Sequence, residues 1–250
     1  MRSAVVDASE ALRDAVSAHL DPIGKAEIVL NPLQYAWEPH RLYLERYSPR
    51  DGIGALWMGM NPGPWGMAQT GVPFGSVPRV RGFLGITGRV DIPERTHPKR
   101  PILGFDCQRS EVSGDRVWGT IEAECGTPER FFANHFITNY CPLVWQSATG
   151  ANLTPDKLPA RAMAPILAAC DAHLAAVVRA TRPKMIIAVG AWAERCARRV
   201  VADHELDVAV GRILHPSPAS PAANRGWAEA ATRQLTELGH PLSTGPTGAS

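Results

Sequence analysis

Residues 53–64 read I-G-A-L-W-M-G-M-N-P-G-P, an apolar run that stops at a cluster of proline and glycine. A strand buried on both faces of a parallel sheet has such a composition, and proline cannot continue the hydrogen-bonded ladder of a central strand. The run therefore predicts a strand over Ile53–Met60. The residues from Asn61 onward predict a rigid turn at the carboxyl end of that strand.

Further apolar runs end in the same way, and we expect strands over segments 132–138, 184–189 and 208–214. Apolar residues at helical spacing predict helices over 3–19, 77–86, 159–180, 191–202 and 224–238. This alternation predicts an α/β fold, in which helices flank a central four-stranded, mainly parallel sheet. Two long segments are predicted to be irregular. Residues 31–50 are expected to form a connector, and residues 88–130 a long surface excursion.

The chain has 250 residues, of which 45% are hydrophobic and 20% charged, with a formal net charge of +2. This composition excludes a disordered chain and fits one globular domain over residues 1–242, with a disordered tail over residues 243–250. The five cysteines include no C-x-x-C pair, so we expect neither a metal site nor a cofactor. The charged N-terminus and the lack of an apolar run of about 18 residues predict a cytoplasmic protein without membrane contact. We also expect a monomer.

Unusual polar residues follow three of the predicted strands: Asn61, Asn139 and His215. Because the carboxyl ends of parallel strands meet at one edge of the sheet, where ligands bind, one site could hold all three. Each residue alone could equally be a turn residue or a helix cap. The sequence contains no Walker loop, dinucleotide fingerprint, G-x-S-x-G elbow or H-E-x-x-H motif.

The stretch over residues 59–74, G-M-N-P-G-P-W-G-M-A-Q-T-G-V-P-F, closely resembles the single-strand-selective monofunctional uracil-DNA glycosylases of the uracil-DNA glycosylase superfamily. H-P-S-P over 215–218, P-A-A-N-R-G-W over 221–227 and S-E-V-S-G over 110–114 resemble the same family. The resemblance implies an enzyme of base excision repair, nucleoid-associated when it acts on DNA. It would flip uracil out of single- or double-stranded DNA and hydrolyse the N-glycosidic bond without cutting the strand.

The resemblance also implies roles for individual residues. It assigns Asn61 to the attacking water and His215 to uracil O2, where a ring N–H would stabilise the departing anion. Asn139 would accept from uracil N3–H and donate to O4, a pattern that cytosine reverses.

For the walls of the pocket, the resemblance implies that Phe74 stacks on the flipped base and that Met60 and Gly63 line it. Gly63 is expected to leave room near C5 for an oxidised substituent such as hydroxymethyl. Met60 and Phe74 could equally be core residues.

The loop from His215 to Asn224 contains three prolines and resembles the family's wedge, which enters the base stack. The DNA-binding residues expected there are Ser217, Pro218, Ala219, Ser220, Asn224 and Arg225. Where vertebrate members carry an arginine after H-P-S-P, this chain has Ala219-Ser220, so its grip on the opposite strand should be weaker. Six cations over 79–100, against Asp91 and Glu94, predict a second DNA-facing patch or a soluble surface.

Two other functions remain open at this stage. A relative within the same superfamily could prefer deaminated purines such as xanthine or hypoxanthine. A damaged-DNA-binding protein could have kept the pocket without catalysis, although the presence of both Asn61 and His215 argues against it.

Overall fold

A computed structural model describes residues 3–50 and 52–242 of the chain, and the tail expected over 243–250 lies outside them. The strands among these residues are β1 (Ala26–Leu30), β2 (Ile53–Gly59), β3 (His135–Asn139), β4 (Val144–Ser147), β5 (Asn152–Leu153), β6 (Pro183–Val189) and β7 (Ala209–Ile213). Four of them form a sheet in the order β3-β2-β6-β7, and each neighbouring pair is parallel. The predicted fold class is therefore confirmed.

The α-helices of the same residues flank this sheet and fill the long connections. They are α1 (Ala4–Ser17), α2 (Pro32–Tyr35), α3 (Trp37–Tyr47), α4 (Met67–Thr70), α5 (Val112–Cys125), α6 (Pro128–Phe132), α7 (Ala160–Thr181), α8 (Ala191–Asp203), α9 (Pro221–Asn224) and α10 (Trp227–Glu237). The helix expected over 77–86 is only a π-helical turn, Arg79–Phe83. The helix expected over 224–238 is divided at Gly226, whose φ of 142° favours glycine.

Strand β2 is the centre of the hydrophobic core, because each residue from Ile53 to Gly59 is buried. The Trp57 indole N–H donates to Nδ1 of His135 at 3.2 Å, and Trp57 packs edge-on against Phe131 of α6. Trp118 of α5 extends this aromatic cluster through a further edge contact with Phe131. The apolar burial stabilises the sheet and holds the carboxyl ends of its strands in place.

The segment 31–50 is not a connector, because it forms helices α2 and α3. The side chain of Asn31 caps α2 by accepting a backbone N–H at 3.1 Å, and Pro32 occupies the first turn. In α3, Tyr43 and Tyr47 lie four residues apart and are both buried. Their hydroxyls donate to backbone carbonyls of neighbouring segments, so these tyrosines are core residues.

The expectation of a surface excursion over 88–130 is wrong for its second half, which forms α5 and the start of α6. Val117 and Trp118 of α5 are fully buried. Two glycines within α5 obscured its helical pattern, and Gly114 is required there because a Cβ would collide with the carbonyl oxygen of Phe74.

A second, antiparallel sheet of three short strands, in the order β1-β4-β5, was not predicted. Its strands have five, four and two residues, which is too short for an alternating pattern to be distinguished from loop sequence. The strand expected from Phe132 begins only at His135, because Phe132 ends helix α6.

Helix α7 has 22 residues and a window of mean hydropathy 1.4, so its length and composition alone would allow it to cross a membrane, contrary to the sequence-based expectation. Its side chains Ile166, Leu174 and Val178 are buried in the main core. His173 of the same helix lies with its Nε2 3.5 Å from the hydroxyl of Ser9 on α1. Helix α7 therefore acts as a core helix of this fold.

We expect the protein to lose stability as pH falls below about 6.5. Burial lowers the pKa of His40 and His135 to about 4 and that of His173 to about 3. Between these values and the ordinary histidine pKa, the unfolded chain binds protons that the folded chain does not. The free energy of unfolding therefore decreases as pH falls, by about 1 kcal/mol per pH unit for each histidine.

Urea unfolding at pH 7, 6 and 5 measures this dependence. His173→Gln should reduce its slope by about 1 kcal/mol per pH unit, since one buried titrating group is removed. His19→Gln removes a histidine outside the core and serves as the control. Equal slopes for the parent protein and His173→Gln would contradict the expectation.

Candidate functional site

The carboxyl ends of the parallel strands converge on one cleft. Gly59 of β2 pairs in register with Asn139 of β3, and Val189 of β6 pairs with Ile213 of β7, two residues before His215. The cleft has a volume of about 320 Å³. Its lining consists of Met60, Asn61, Pro62, Gly63, Pro64, Gly66, Met67, Phe74, Glu111, Ser113, Asn139, Asn152, Thr154, His215, Ser217 and Pro218. The structure thus brings together the six catalytic and substrate-binding residues expected from the sequence.

Gly59 makes room for two of these side chains at the end of β2. A Cβ at this position would overlap Oδ1 of Asn139 and would lie 2.7 Å from the ring of Phe74. Real Cβ atoms do not approach other atoms so closely, so Asn139 and Phe74 can occupy these positions only beside glycine.

Asn139 is 7% exposed, and its amide has a defined orientation. Nδ2 donates to the sulfur of Met67 at 3.1 Å, while Oδ1 lies against Gly59. The backbone beyond it is fixed too, because the N–H of Tyr140 donates to the carbonyl oxygen of Gly59 at 2.9 Å. The amide therefore presents one donor and one acceptor to the cleft from a rigid strand end.

Phe74 has a left-handed backbone conformation, with φ of 55°, which is costly for an aromatic residue. Its neighbours hold it there. The Trp118 indole N–H donates to the carbonyl oxygen of Pro73 at 3.1 Å, and the Thr70 hydroxyl donates to that of Gly75 at 2.7 Å. The half-buried ring consequently forms a fixed wall of the cleft.

Asn61 stands at the first position of the turn after Met60. Its Nδ2 donates to the carbonyl oxygen of Leu143 at 3.3 Å, and Oδ1 accepts no hydrogen bond from the described part of the chain. This orientation leaves the amide oxygen available to accept a hydrogen bond from a water in the cleft.

The loop after Asn61 is tied down by Gln69, a fully buried residue that the sequence analysis did not single out. Its Nε2 donates to the carbonyl oxygens of Pro64 and Pro101 at 2.9 and 3.0 Å. Its Oε1 accepts the backbone N–H groups of Leu103 and Gly104 at 2.8 and 3.2 Å. Because both amide atoms are paired, Gln69 holds the loop at Pro64 against the segment 101–104.

His215 is held as a neutral hydrogen-bond donor. The backbone N–H of Ser217 donates to its Nδ1 at 3.1 Å, so the proton of the neutral ring resides on Nε2. Burial lowers the pKa of His215 below its ordinary value, which favours this neutral form. The ring packs on Gly190 at the end of β6, where a Cβ would lie 3.0 Å from Cδ2.

The predicted wedge loop is a braced turn with an exposed tip. Pro218 and Ala219 are exposed, and the N–H of Ala219 donates to the hydroxyl of Ser217 at 3.1 Å. The hydroxyl of Ser220 caps α9. Of the expected DNA-binding residues, only Ser217 and Pro218 also border the cleft.

Asn224 is engaged inside this loop, so the structure gives its side chain a bracing role. Its Nδ2 donates to the carbonyl oxygen of Pro218 at 2.8 Å, and its Oδ1 accepts from Arg116 at 2.9 Å. Arg116, which sequence reasoning missed, also donates to the carbonyl oxygen of Pro216 at 2.8 Å. Arg225 is exposed and has no ion-pair partner among residues 3–50 and 52–242.

The six cations over 79–100 do not form a uniform patch. Arg79 is paired with Glu122, and Arg89 is paired with Asp91 at 2.6 Å. Arg81 lies over the ring of Phe105 at 5.5 Å. Two of the six cations expected to face DNA are therefore paired with carboxylates of the described chain.

Glu111 supplies the cleft with a carboxyl group that sequence reasoning did not assign. A Cβ on Gly63 would lie 2.8 Å from Cδ of Glu111, so the carboxyl group occupies the space expected to be free there. Glu111 also accepts the backbone N–H of Trp65 at 3.3 Å, while burial, as the main cause, raises its pKa. The only signal in the sequence was its place in S-E-V-S-G.

Within the described residues, no group of three His, Cys, Asp or Glu side chains could hold a metal ion. The cleft combines amide, imidazole and carboxyl groups with an aromatic wall. Such a set suits a planar, polar ring that stacks on Phe74 and exchanges hydrogen bonds at its edges.

Comparisons with known proteins point to one superfamily. The profile of the uracil DNA glycosylase superfamily matches residues 48–236. The single-strand selective monofunctional uracil-DNA glycosylase of Rattus norvegicus is 49% identical over 221 residues, covering 88% of this chain and 77% of its own. Its Bos taurus counterpart is 50% identical over 214 residues, covering 85% and 78%. The crystal structure of wild-type Pedobacter heparinus SMUG2 has a TM-score of 0.69 at 16% identity, covering 94% and 97%, and shares the fold.

Gly59→Ala should destabilise the protein by about 1–3 kcal/mol, because the added methyl group displaces Asn139 and Phe74. Urea unfolding measures this loss. Gly82→Ala is the matched control, since a Cβ at Gly82 meets nothing within 4 Å, and it should change stability by about 0.5 kcal/mol or less. Equal stability of the two variants would show that the end of β2 is not tightly packed.

Proposed function

This chain belongs to the uracil DNA glycosylase superfamily, and we propose that it excises uracil from DNA with Asn61 and His215 as its catalytic residues. It is a hydrolase that cleaves the N-glycosidic bond and, being monofunctional, leaves an abasic site in an intact strand for base excision repair. The observation that carries the assignment of residues is the convergence of Asn61, Asn139 and His215 on one cleft.

Asn139 selects the base in this proposal. The cleft receives a nucleotide flipped out of the stack, and the ring of Phe74 stacks on it. Oδ1 of Asn139 accepts from uracil N3–H and Nδ2 donates to O4, whereas cytosine presents an acceptor and a donor at the same two positions. Cytosine would therefore leave both amide atoms opposed by like groups and is rejected.

His215 stabilises the departing uracil anion. Because Nδ1 already accepts the N–H of Ser217, the Nε2–H is free to donate to O2 as negative charge develops there. A fixed donor of this kind contributes about 2.7–4 kcal/mol to the transition state. The lowered pKa of His215 keeps the donor neutral at physiological pH, so its action needs no protonation step.

Asn61 orients the water that attacks the sugar C1′. Its Oδ1 can accept a hydrogen bond from this water, but a neutral amide is too weak a base to remove the proton. Breaking of the glycosidic bond consequently depends more on leaving-group stabilisation than on activation of the nucleophile. The cleft contains no lysine for a covalent sugar adduct, which agrees with base release alone.

We extend the proposal to uracils oxidised at C5. With O2 at His215 and the N3–O4 edge at Asn139, we place the C5 edge towards Gly63 and Glu111, which also line the cleft. A hydroxymethyl group has both a donor and an acceptor, so it can pair with Glu111 in either protonation state. A formyl group only accepts and pairs only with the protonated carboxyl group.

We propose a monomer as the working unit, because the side chains of a single chain supply every group that the proposed steps require: Asn61, Phe74, Asn139 and His215. The exposed tip at Pro218 and Ala219 enters the base stack and keeps the nucleotide extrahelical. Since the tip carries no cation, its hold on an opposite strand is weak. We therefore expect single-stranded DNA to be a good substrate.

His215→Ala should lower the single-turnover rate of uracil release by about 100-fold or more, and Asn61→Ala should also slow it. The substrate is a labelled single-stranded oligonucleotide with one uracil, and alkali reveals the abasic product. Oligonucleotides with xanthine or hypoxanthine test the deaminated-purine alternative. No uracil release by the parent protein would favour the non-catalytic alternative, and strand cleavage without alkali would contradict a monofunctional enzyme.

Glu111→Gln should raise the rate of 5-formyluracil release relative to 5-hydroxymethyluracil, because the amide NH₂ can donate at any pH. In the parent protein, this ratio should rise as pH falls, because burial raises the pKa of Glu111 and the carboxyl group becomes protonated as pH decreases. In the variant it should be independent of pH. Glu122→Gln, on the same helix but paired with Arg79, is the control. A ratio unaffected by pH and by Glu111→Gln would show that Glu111 does not face C5.

A further inference from the structure

Two arginines lie over one tryptophan ring beside the mouth of the cleft. The guanidinium carbons of Arg100 and Arg109 are 5.2 and 5.0 Å from the centroid of the Trp65 ring. Trp65 itself stands between Pro64 and Gly66, which both line the cleft. We call Arg100, Trp65 and Arg109 the Trp65 clasp.

The two cations of the clasp are not neutralised inside the protein. Neither Arg100 nor Arg109 forms an ion pair with any residue the structure describes, whereas Arg79 and Arg89 of the same basic region are both paired. Among the described residues, the side chain of Arg100 donates only to the carbonyl oxygen of Lys99, at 3.0 Å, and its buried Nε has no partner. Both positive charges of the clasp are therefore available to attract an anion.

Hydrogen bonds hold the backbones of two members of the clasp, Trp65 and Arg100. The backbone of Trp65 is held by its hydrogen bond to Glu111. Arg100 follows a tight turn in which its N–H donates to the carbonyl oxygen of His97 at 2.7 Å. The ring of His97 is anchored in turn, since Nδ1 accepts the N–H of Lys99 and Nε2 lies 3.0 Å from the carbonyl oxygen of Ala148. The backbones of Trp65 and Arg100 are therefore held in place, whereas Arg109 is an exposed residue.

We propose that the Trp65 clasp binds backbone phosphates of the DNA strand that carries the flipped base, on nucleotides flanking it. A guanidinium group stacked on an aromatic ring keeps its N–H edge free, and this edge matches a phosphate in bidentate geometry. The proposal rests on the proposed function only in taking DNA as the substrate. It assigns a binding role to residues that contact neither the base nor the sugar.

The test measures the salt dependence of binding to a fluorescein-labelled single-stranded oligonucleotide that contains no uracil. Each phosphate contact on a single strand contributes about 0.7 to the slope of log affinity against log salt. The double variant Arg100→Gln/Arg109→Gln should bind more weakly, with a slope shallower by about 1.4. Between about 50 and 200 mM salt, the parent protein should then lose about sevenfold more affinity than the variant.

The matched control is Arg41→Gln/Arg233→Gln, which changes the net charge equally but removes exposed arginines paired with Glu45 and Glu237. It should keep the slope of the parent protein. The proposal is overturned if the clasp variant also keeps that slope, or if both double variants reduce it equally. Because the oligonucleotide contains no uracil, this result is independent of whether the protein releases uracil.

The variant Trp65→Leu tests whether the tryptophan ring positions the two arginines, as distinct from the effect of their charges. It keeps both arginines, so the slope should remain, but the affinity should fall about two- to fivefold as the cation–π contacts are lost. Unchanged affinity would overturn the role of the tryptophan. Urea unfolding of each variant verifies that it is folded under the binding conditions.

Discussion

The absence of a side chain at Gly59 is the constraint on which the cleft depends. Only a hydrogen atom fits where β2 ends, because Oδ1 of Asn139 and the Phe74 ring fill the rest of that space. The same principle operates at Gly190, against which the His215 ring lies, and at Gly114, against which the Phe74 carbonyl lies. Close approach at these three glycines lets the side chains of Asn139, Phe74 and His215 pack against backbone, whose position is fixed by strands and helices.

Burial then determines the proton states of the groups that this packing brings together. Desolvation disfavours charge, so it lowers the pKa of His215 and raises that of Glu111, and it leaves the cleft with a neutral imidazole and a carboxyl group that protonates readily. A neutral histidine donor is useful only if its proton is on the correct nitrogen. The N–H of Ser217 ensures this by donating to Nδ1, so loop geometry and desolvation act on the same ring.

The sequence was sufficient for the features that depend on one strand and the residue after it. Apolar runs that each end at a turn predicted the parallel sheet. Because parallel strands bring their carboxyl ends to one edge, the same pattern predicted that Asn61, Asn139 and His215 converge. Glu111 and Gln69 could not be found in that way, since they reach the cleft and its floor through long-range packing. Helix α5 was missed because its glycines serve close contacts with other segments, which weakens the local helical pattern.

In the wedge loop, the residues that make the loop rigid are not the residues that could attract DNA. Arg116 uses its guanidinium to hold Pro216 and Asn224, so its hydrogen bonds stiffen the loop and do not face outward. The tip at Pro218 and Ala219 is apolar and exposed, a shape suited to entering a base stack but without attraction for phosphate. Attraction must then come from unpaired cations elsewhere, and Arg225 and the Trp65 clasp meet this requirement. In the function that we propose, a stiff apolar tip combined with cations that hold one strand favours substrates whose bases are already unpaired, because opening a duplex would require a hold on the second strand as well.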